Sequence, residues 1–210
     1  QYNYRLASGS MLSLGSEYQQ NSVNDRIPGY QRVIDQSDYS MGMFGQFEWL
    51  ISSRLKLLNG LRLDHIAIDS RNQLQGIERN QDRTFNVLSP RFTAFYKLNT
   101  KVNLRAGYAR GFRAPQAFNE DLHISSVGGE PIFVVLGEDL KKETSNAYTA
   151  SVNFNSKNGK NQYSIVLEGF YTLLENPFTR VNTGSQLDNG SIIEELRNGN
   201  GAFVRGFNLE

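Results

Sequence analysis

The chain has 210 residues, no cysteine and a formal net charge of +1. It therefore cannot form a disulfide framework or a cysteine-based metal site, and it has no excess of basic residues that would indicate nucleic-acid binding. Apolar residues make up only 39% of the chain, while Tyr, Phe and Gly are frequent at 10, 13 and 19 residues. Aromatic- and glycine-rich alternating runs favour an all-β chain. No apolar run approaches the roughly 20 residues of a transmembrane helix.

Apolar and polar residues alternate in runs along the whole chain. This is the pattern of a strand with one face turned away from water. The hairpin from Leu88 to Arg113 is the clearest example. Its two strands are about eleven residues long, which at a tilt near 45° covers roughly 25 Å, the height of the apolar band of an outer-membrane barrel. The predicted strands are 2–7, 11–21, 39–51, 54–68, 88–97, 102–113, 144–154, 162–175 and 197–210.

The connections between these strands alternate between short and long. The short ones lie at 8–10, 52–53, 98–101 and 155–161, and the long ones lie at 22–38, 69–86, 114–143 and 176–196. Bacterial outer-membrane barrels have this order, because their turns are short on the periplasmic side and their loops are long outside. The pattern predicts an antiparallel up-and-down meander of transmembrane strands, although a soluble β-sandwich, whose strands also alternate, stays open at this point.

The longest connection carries most of the side chains that a ligand would meet. We predict ligand contacts there from Arg113, Glu120, Asp121, His123 and Glu130. Glu120, Asp121 and His123 are close enough in sequence to suggest metal ligands, but such a cluster in a loop more often forms hydrogen-bonded structure, so no metal site is predicted. The apolar run within 131–136 is predicted to be an extra strand or a packed loop segment.

No catalytic pattern is present in the sequence. The two histidines, His65 and His123, lie in neither an H-E-x-x-H motif nor a serine-centred elbow. The glycine-rich stretch at 198–201 lacks the strand–turn–helix context that phosphate binding needs. We therefore expect neither an enzyme nor a bound cofactor.

Four stretches, in their order and spacing over about residues 40–210, resemble the β-barrel of TonB-dependent outer-membrane receptors, particularly the Bacteroidetes type. They are FGQFEW…LLNGLRLD at 44–64, SPR…YARGFRAP at 89–115, LKKETS at 140–145 and NGNGAFVRGFNLE at 198–210. The second is the most specific. Two departures occur: Lys142 stands where the family usually has proline, and Phe207-Asn208 stands where it often has Val-Glu.

The resemblance implies a barrel of about 22 strands around an N-terminal plug domain, located in the bacterial outer membrane. Such receptors take up ferric siderophores, haem, cobalamin or glycans, using energy passed by the inner-membrane TonB complex. Residues 1–210 would be part of one barrel domain, about nine strands of it. We therefore expect a fragment without the plug, the TonB box and the remaining strands. The partners implied are outer-membrane lipid, the protein's own plug, the TonB complex acting through the plug, and the ligand.

The two faces of the strands take different roles in such a barrel. The outward face meets lipid, with aromatic girdles at both rims, for which Trp49, Tyr96, Tyr108 and Tyr171 are candidates; in a sandwich these would be core residues. Arg205 also falls on this face, near the external rim. The inward face is polar because it meets water and the plug, and on it we predict Gln46, Glu48, Arg62, Arg91, Arg105 and Glu168.

Two alternative functions stay open from the sequence: a soluble β-sandwich module for binding or adhesion, and a passive porin-like channel. A partial barrel has two bare sheet edges and an uncovered apolar face, so we expect such a fragment to self-associate through them. A meander that joins only sequence neighbours would favour the barrel. Greek-key crossings between two packed sheets would favour the sandwich.

Overall fold

The computed structural model describes residues 1–28, 31–74, 77–115, 132–158, 161–187, 190 and 192–210. Among these residues, no helix is long and apolar enough to cross a membrane. The described strands are β1 (Tyr2–Arg5), β2 (Met11–Ile27), β3 (Arg32–Leu50), β4 (Leu55–Leu74), β5 (Ile77–Lys97), β6 (Val102–Arg113), β7 (Ile132–Leu136), β8 (Glu143–Asn158), β9 (Asn161–Glu175), β10 (Phe178–Gln186), β11 (Ile192–Asn198) and β12 (Ala202–Leu209).

Nine of these strands form one large sheet in the order β1-β2-β3-β4-β5-β6-β8-β9-β12, and the other three form a small sheet in the order β10-β11-β7. Neighbours in the large sheet are antiparallel throughout. They follow chain order once β7, β10 and β11 are set aside as parts of two connections. The predicted up-and-down meander is therefore confirmed, and the described residues of the large sheet have no Greek-key crossing of the kind a sandwich needs.

The meander has two ends, which we call the turn end, with the connections at 6–10, 51–54 and 98–101, and the loop end. The prediction of long loops at 22–38 and 69–86, on the loop end, is wrong. β2 and β3 stay paired up to Ile27 and Arg32, and β4 and β5 stay paired up to Leu74 and Ile77. Beyond the apolar band both strand faces are polar, so the alternation disappears while the backbone hydrogen bonding continues.

Three further boundaries differ from the sequence prediction. The predicted turn at 155–161 is largely strand, because β8 pairs with β9 as far as Asn158 opposite Asn161. The predicted loop at 176–196 contains β10 and most of β11. The last strand begins at Ala202 and not at residue 197, because Arg197 belongs to β11. The apolar run in the longest connection forms β7, which pairs in parallel with β11.

One face of the large sheet, which we call the outer face, is apolar across all nine strands. Its side chains are accessible although they are hydrophobic, with Leu63 at 57% and Phe207 at 79% exposure. A row of aromatic rings crosses four strands on this face: Phe92 lies 6.3 Å from Tyr108, which lies 5.1 Å from Tyr148, and Tyr171 is the next residue in register. A soluble protein rarely exposes so large an apolar patch, so this face requires an apolar environment.

A polar border follows the aromatic row towards the loop end of the same face. The Tyr108 hydroxyl donates to Asn146 Oδ1 at 2.9 Å, and Asn146 Nδ2 donates to Glu175 at 3.2 Å. Glu175 also accepts from the Thr144 hydroxyl at 2.9 Å and lies 3.8 Å from Arg110. Tyrosine rings with a hydrogen-bonded polar edge are typical of the boundary between hydrocarbon and headgroups.

Glycines on the opposite face, which we call the inner face, accommodate aromatic rings. A Cβ built on Gly15 would lie 2.4 Å from Phe44, whereas one built on Gly60, on the same face, would meet nothing closer than 3.8 Å. We expect Gly15→Ala to destabilise the folded protein by about 1–3 kcal/mol through overpacking, and Gly60→Ala to be neutral or mildly stabilising. The denaturant midpoints of the two variants check this, and equal midpoints would contradict it.

Candidate functional site

The six residues predicted on the inward face share the inner face of the large sheet. The register places Gln46 opposite Gly60, and Gly60 opposite Arg91. On the following strands, Arg105 lies opposite Ser151, which lies opposite Glu168. These six residues therefore lie on the face opposite the aromatic row. Two groups of side chains on this face differ in charge.

The first group is an ion-paired network midway along the strands. Arg62 Nη2 lies 2.8 Å from the Asp64 carboxylate, and Arg62 Nη1 donates to Glu17 at 3.0 Å. The Asp64 side chain is only 3% exposed, so Arg62 takes the place of water beside its carboxylate. Gly42 opens the space for this pair, because a Cβ there would lie 2.4 Å from Arg62 Nη2. This network leaves the first group with no cation in excess.

The second group lies at the turn end and is cationic. Lys56 Nζ lies 5.0 Å from the centre of the Phe95 ring, and the Arg105 guanidinium carbon lies 5.3 Å from the same centre. Lys56 also lies 3.4 Å from Glu48. A cavity of about 490 Å³ opens over these residues. The aromatic ring stabilises both cations through cation–π contacts.

At the loop end the chain leaves β6 and turns towards the inner face. β5 and β6 pair only from Arg91 opposite Ala109 to the turn end. Beyond that point Ala114 packs on a buried apolar cluster and Pro115 is fully buried. The cluster consists of Ile66, Ile68 and Val87, with Phe85 and Phe112 at its margin. The start of the longest connection is thus anchored on the inner side of β4 and β5.

The segment 137–142 takes the place beside β5 that β6 has left. The Arg83 guanidinium donates to the carbonyl oxygens of Gly137, at 2.7 Å, and of Leu140. Lys142 Nζ donates to the Asn86 carbonyl at 2.8 Å. Lys142, one of the two departures from the resembled motifs, therefore has a structural role. Burial lowers the pKa of Arg83 from its ordinary value, and Asp139 opposes this effect.

We call β7, β10, β11 and the segment 137–142 the cap. Asn198 joins its parts: its side-chain amide donates to the Lys141 carbonyl at 3.0 Å and to the Asn176 carbonyl at 2.8 Å, and its Oδ1 accepts from the Lys141 amide at 2.7 Å. Leu140 and Leu196 form a small buried core. The described parts of the two longest connections thus form one folded unit.

We expect Asn198→Ala to loosen the cap, because three hydrogen bonds are lost and the two carbonyls and one amide they satisfy are left without these partners. Limited proteolysis of the folded protein should cut near 176–200 about tenfold faster, since cleavage follows local opening. Asn200→Ala, in the same connection, provides the control. Equal cleavage of both variants would contradict a clamping role.

The cap encloses an open cavity of about 850 Å³. Its lining combines backbone groups with the charged side chains of Glu138, Asp139, Lys141, Glu195 and Arg197. Arg197 forms an ion pair with Glu195, which raises the pKa of Arg197. The volume is within the roughly 300–1,000 Å³ of small-molecule sites. No local pattern in the sequence indicates this cavity, because its two sides come from connections about sixty residues apart.

Of the five predicted ligand residues, one lies among the described residues and four do not. Arg113 lies at the base of the cap, 3.2 Å from Glu143 and with its guanidinium carbon 4.8 Å from the centre of the Phe178 ring. Glu143 also accepts from the Phe178 amide at 3.1 Å. The other predicted residues, Glu120, Asp121, His123 and Glu130, lie outside the described residues. Within the described part of the chain, no group of three His, Asp or Glu side chains is arranged to hold a metal ion.

A meander with an apolar outer face, a polar inner face and a folded cap over one end is the architecture of an outer-membrane β-barrel wall. The family "TonB dependent receptor-like, beta-barrel" matches residues 1–210, and the chain belongs to this family. Its members are outer-membrane receptors and not enzymes, as expected from the sequence. No curated protein matches the chain.

Solved structures of outer-membrane receptors and transporters share this fold. The copper transporter OprC superposes with a TM-score of 0.72 at 17% identity, over 99% of this chain and 33% of that one. The FrpB iron transporter of Neisseria meningitidis gives 0.70 at 13% identity, over 99% and 31%. The alcaligin receptor FauA of Bordetella pertussis gives 0.63 at 18% identity, over 99% and 33%. The chain therefore spans about a third of the length of these structures.

Proposed function

We propose that the chain is part of the wall of an outer-membrane receptor that takes up a scarce nutrient with energy supplied by the TonB complex. The observation that carries this proposal is the family match over residues 1–210. The cargo classes considered are a ferric siderophore, haem, cobalamin or a glycan. Among the structural neighbours are a ferric-catecholate import receptor, a copper transporter and a haemophore receptor in complex with its haemophore and haem, which favours a metal complex as cargo.

In this proposal residues 1–210 are one part of a barrel domain that is completed by further strands. The outer face meets lipid. The inner face, with Gln46, Glu48, Arg62, Arg91, Arg105 and Glu168, meets a plug domain that contacts the TonB complex. The sheet edges, β1 and β12, would pair with those further strands. The isolated chain would self-associate through these edges, because their backbone hydrogen-bonding groups lack partners.

We propose that the cap faces outside and receives the ligand. The cap cavity supports this, since its carboxylates and its lysine combine charge with exposed backbone groups. The predicted contacts by Glu120, Asp121, His123 and Glu130 belong to the same connection as β7 and stay predictions. Arg113 has a positioning role in this scheme, because Glu143 and Phe178 occupy its guanidinium.

The test is a deletion of the gene, with growth measured on single defined sources of iron siderophore, haem, cobalamin or glycan. We expect one source to fail to support growth, and the intact gene to restore it only when the TonB complex is active. Growth that is restored equally without the TonB complex would show a passive porin-like channel and would overturn the proposal. Unimpaired growth on all sources would overturn it as well.

A further inference from the structure

The dipeptide Asn-Gly occurs at 59–60, 158–159, 189–190, 198–199 and 200–201. In this dipeptide the backbone nitrogen of glycine can attack the side-chain amide carbon of asparagine, because glycine has no Cβ to obstruct the approach. The reaction closes a cyclic succinimide and releases ammonia. The pairs at 59–60, 198–199 and 200–201 lie wholly within the described residues, and the structure gives them different surroundings.

The pairs at 59–60 and 198–199 are held in geometries that oppose this attack. Gly60 lies inside β4 and is paired with both neighbouring strands, so its peptide group is fixed by the sheet. The Gly199 amide donates to the Pro177 carbonyl at 2.7 Å, which occupies the attacking nitrogen. The side-chain amide of Asn198, the group under attack, is held by the hydrogen bonds that join the parts of the cap.

The pair Asn200-Gly201 has none of these constraints. Asn200 is exposed, and within the described chain neither its side chain nor the Gly201 amide has a hydrogen-bond partner. The pair lies in the short connection between β11 and β12, outside any strand. Gly201 has a φ of 77°, in the left-handed region that glycine adopts without strain. Neither strand pairing nor a side-chain contact therefore opposes the rotation that brings the Gly201 nitrogen to the Asn200 side chain.

We propose that Asn200 is a site of spontaneous deamidation. A bond forms between the Gly201 nitrogen and Asn200 Cγ, and the bond from Cγ to Nδ2 breaks. The Nδ2 group leaves as ammonia, taking the proton that the Gly201 amide has lost. Water then opens the succinimide at either of its carbonyls and gives aspartate or isoaspartate. Water is the one co-reactant, nothing is oxidised or reduced, and a neutral amide becomes a negatively charged carboxylate.

The new charge falls on the cap cavity, because Asn200 belongs to its lining. The charged side chains in that lining are three carboxylates and two cations, so a further carboxylate raises the negative excess from one charge to two. This consequence rests on the proposed function, in which the cap receives the ligand. A modified receptor then presents a more negative cavity to its cargo than an unmodified one does.

The test follows deamidation of the folded protein in lipid vesicles, incubated at mildly alkaline pH in water that carries a heavy oxygen isotope. Peptide mapping by mass spectrometry locates each converted asparagine, shows the oxygen taken up from water and separates aspartate from isoaspartate. Asn59 and Asn198 are matched controls, because they precede glycine in the same chain. The denatured protein, in which all three pairs are released, gives the reference rates.

We expect Asn200 to deamidate at least about tenfold faster than Asn59 and Asn198 in the folded protein, since only its pair needs no local opening. After denaturation the three rates should become similar. The product at Asn200 should contain isoaspartate, which direct hydrolysis of the side chain does not give.

Equal rates at the three sites of the folded protein would overturn the proposal, and so would faster conversion of Asn198. A product that is aspartate alone would overturn the succinimide route. These measurements involve neither cargo nor energy supply, so they are decided independently of the growth tests. Failure of the proposed function would leave the conversion of Asn200 in place and remove only its consequence for the ligand.

Discussion

Replacing Leu61 by arginine is expected to destabilise the folded receptor in a bilayer by about 2–4 kcal/mol. This is the effect of a cation near the middle of the lipid-facing band of a barrel. Leu61 lies on the outer face, in register with Leu14, Gly45 and Pro90, and is 48% exposed in the isolated sheet. Exposure of this apolar side chain to water would be unfavourable, and contact with lipid removes it from water.

The measurement is the denaturant midpoint of the full-length receptor in phospholipid vesicles. Gln73→Arg is the matched control, because it adds the same charge on the same face of β4 but beyond the polar border, where we expect a change within about 0.5 kcal/mol. A similar loss at both positions would contradict the assignment of the outer face to lipid. Two near-neutral results would contradict it too.

Replacing Arg62 by leucine is expected to destabilise the folded receptor by about 3 kcal/mol, the low end of the roughly 3–5 kcal/mol for a buried ion pair that loses one partner. The cause is Asp64, whose side chain is 3% exposed and would be left charged without its arginine. The low end applies because the Arg62 side chain is 35% exposed. Glu17 adds little, since its side chain is 55% exposed and water can solvate it.

Two further variants make this experiment decisive. Arg62→Leu combined with Asp64→Leu should recover more than half of the loss, because no unpaired buried charge remains. Arg71→Leu breaks the exposed Arg71–Glu78 pair, whose side chains are 57% and 41% exposed, and should change stability by at most about 1 kcal/mol. Equal effects of Arg62→Leu and Arg71→Leu would show that burial of Asp64 is unimportant.

A comparison of β6 with β2–β5 shows which strand boundaries local sequence patterns can predict. β6 occupies 102–113, as predicted, because its alternation extends over its whole length and a polar turn precedes it. In β2–β5 the apolar alternation stops before the strands do. Beyond the apolar band neither face needs apolar residues, but hydrogen bonding between neighbouring strands continues. A strand whose two faces meet the same solvent has no period to detect.

The inner face illustrates what a shared face does not reveal. The sequence placed Arg62, Arg91 and Arg105 together, and the register agrees. It did not indicate that Arg62 pairs with Glu17, which is 45 residues away, while Arg105 is left against Phe95. These contacts depend on which residues meet across three strands, and that register is set by the whole sheet.

The two-faced meander was determined by the sequence itself, because apolar alternation and pairing of chain neighbours act over a few residues. The cap was decided only by the tertiary structure. β7 and β11 are parallel strands from different connections. Asn198 joins β11 to the segment 137–142, and Arg83 and Lys142 join that segment to β5, all through backbone carbonyl groups, which every residue has. Contacts of this kind follow no sequence period and need no particular residue type. The candidate ligand surface therefore forms only when the two connections fold against the large sheet.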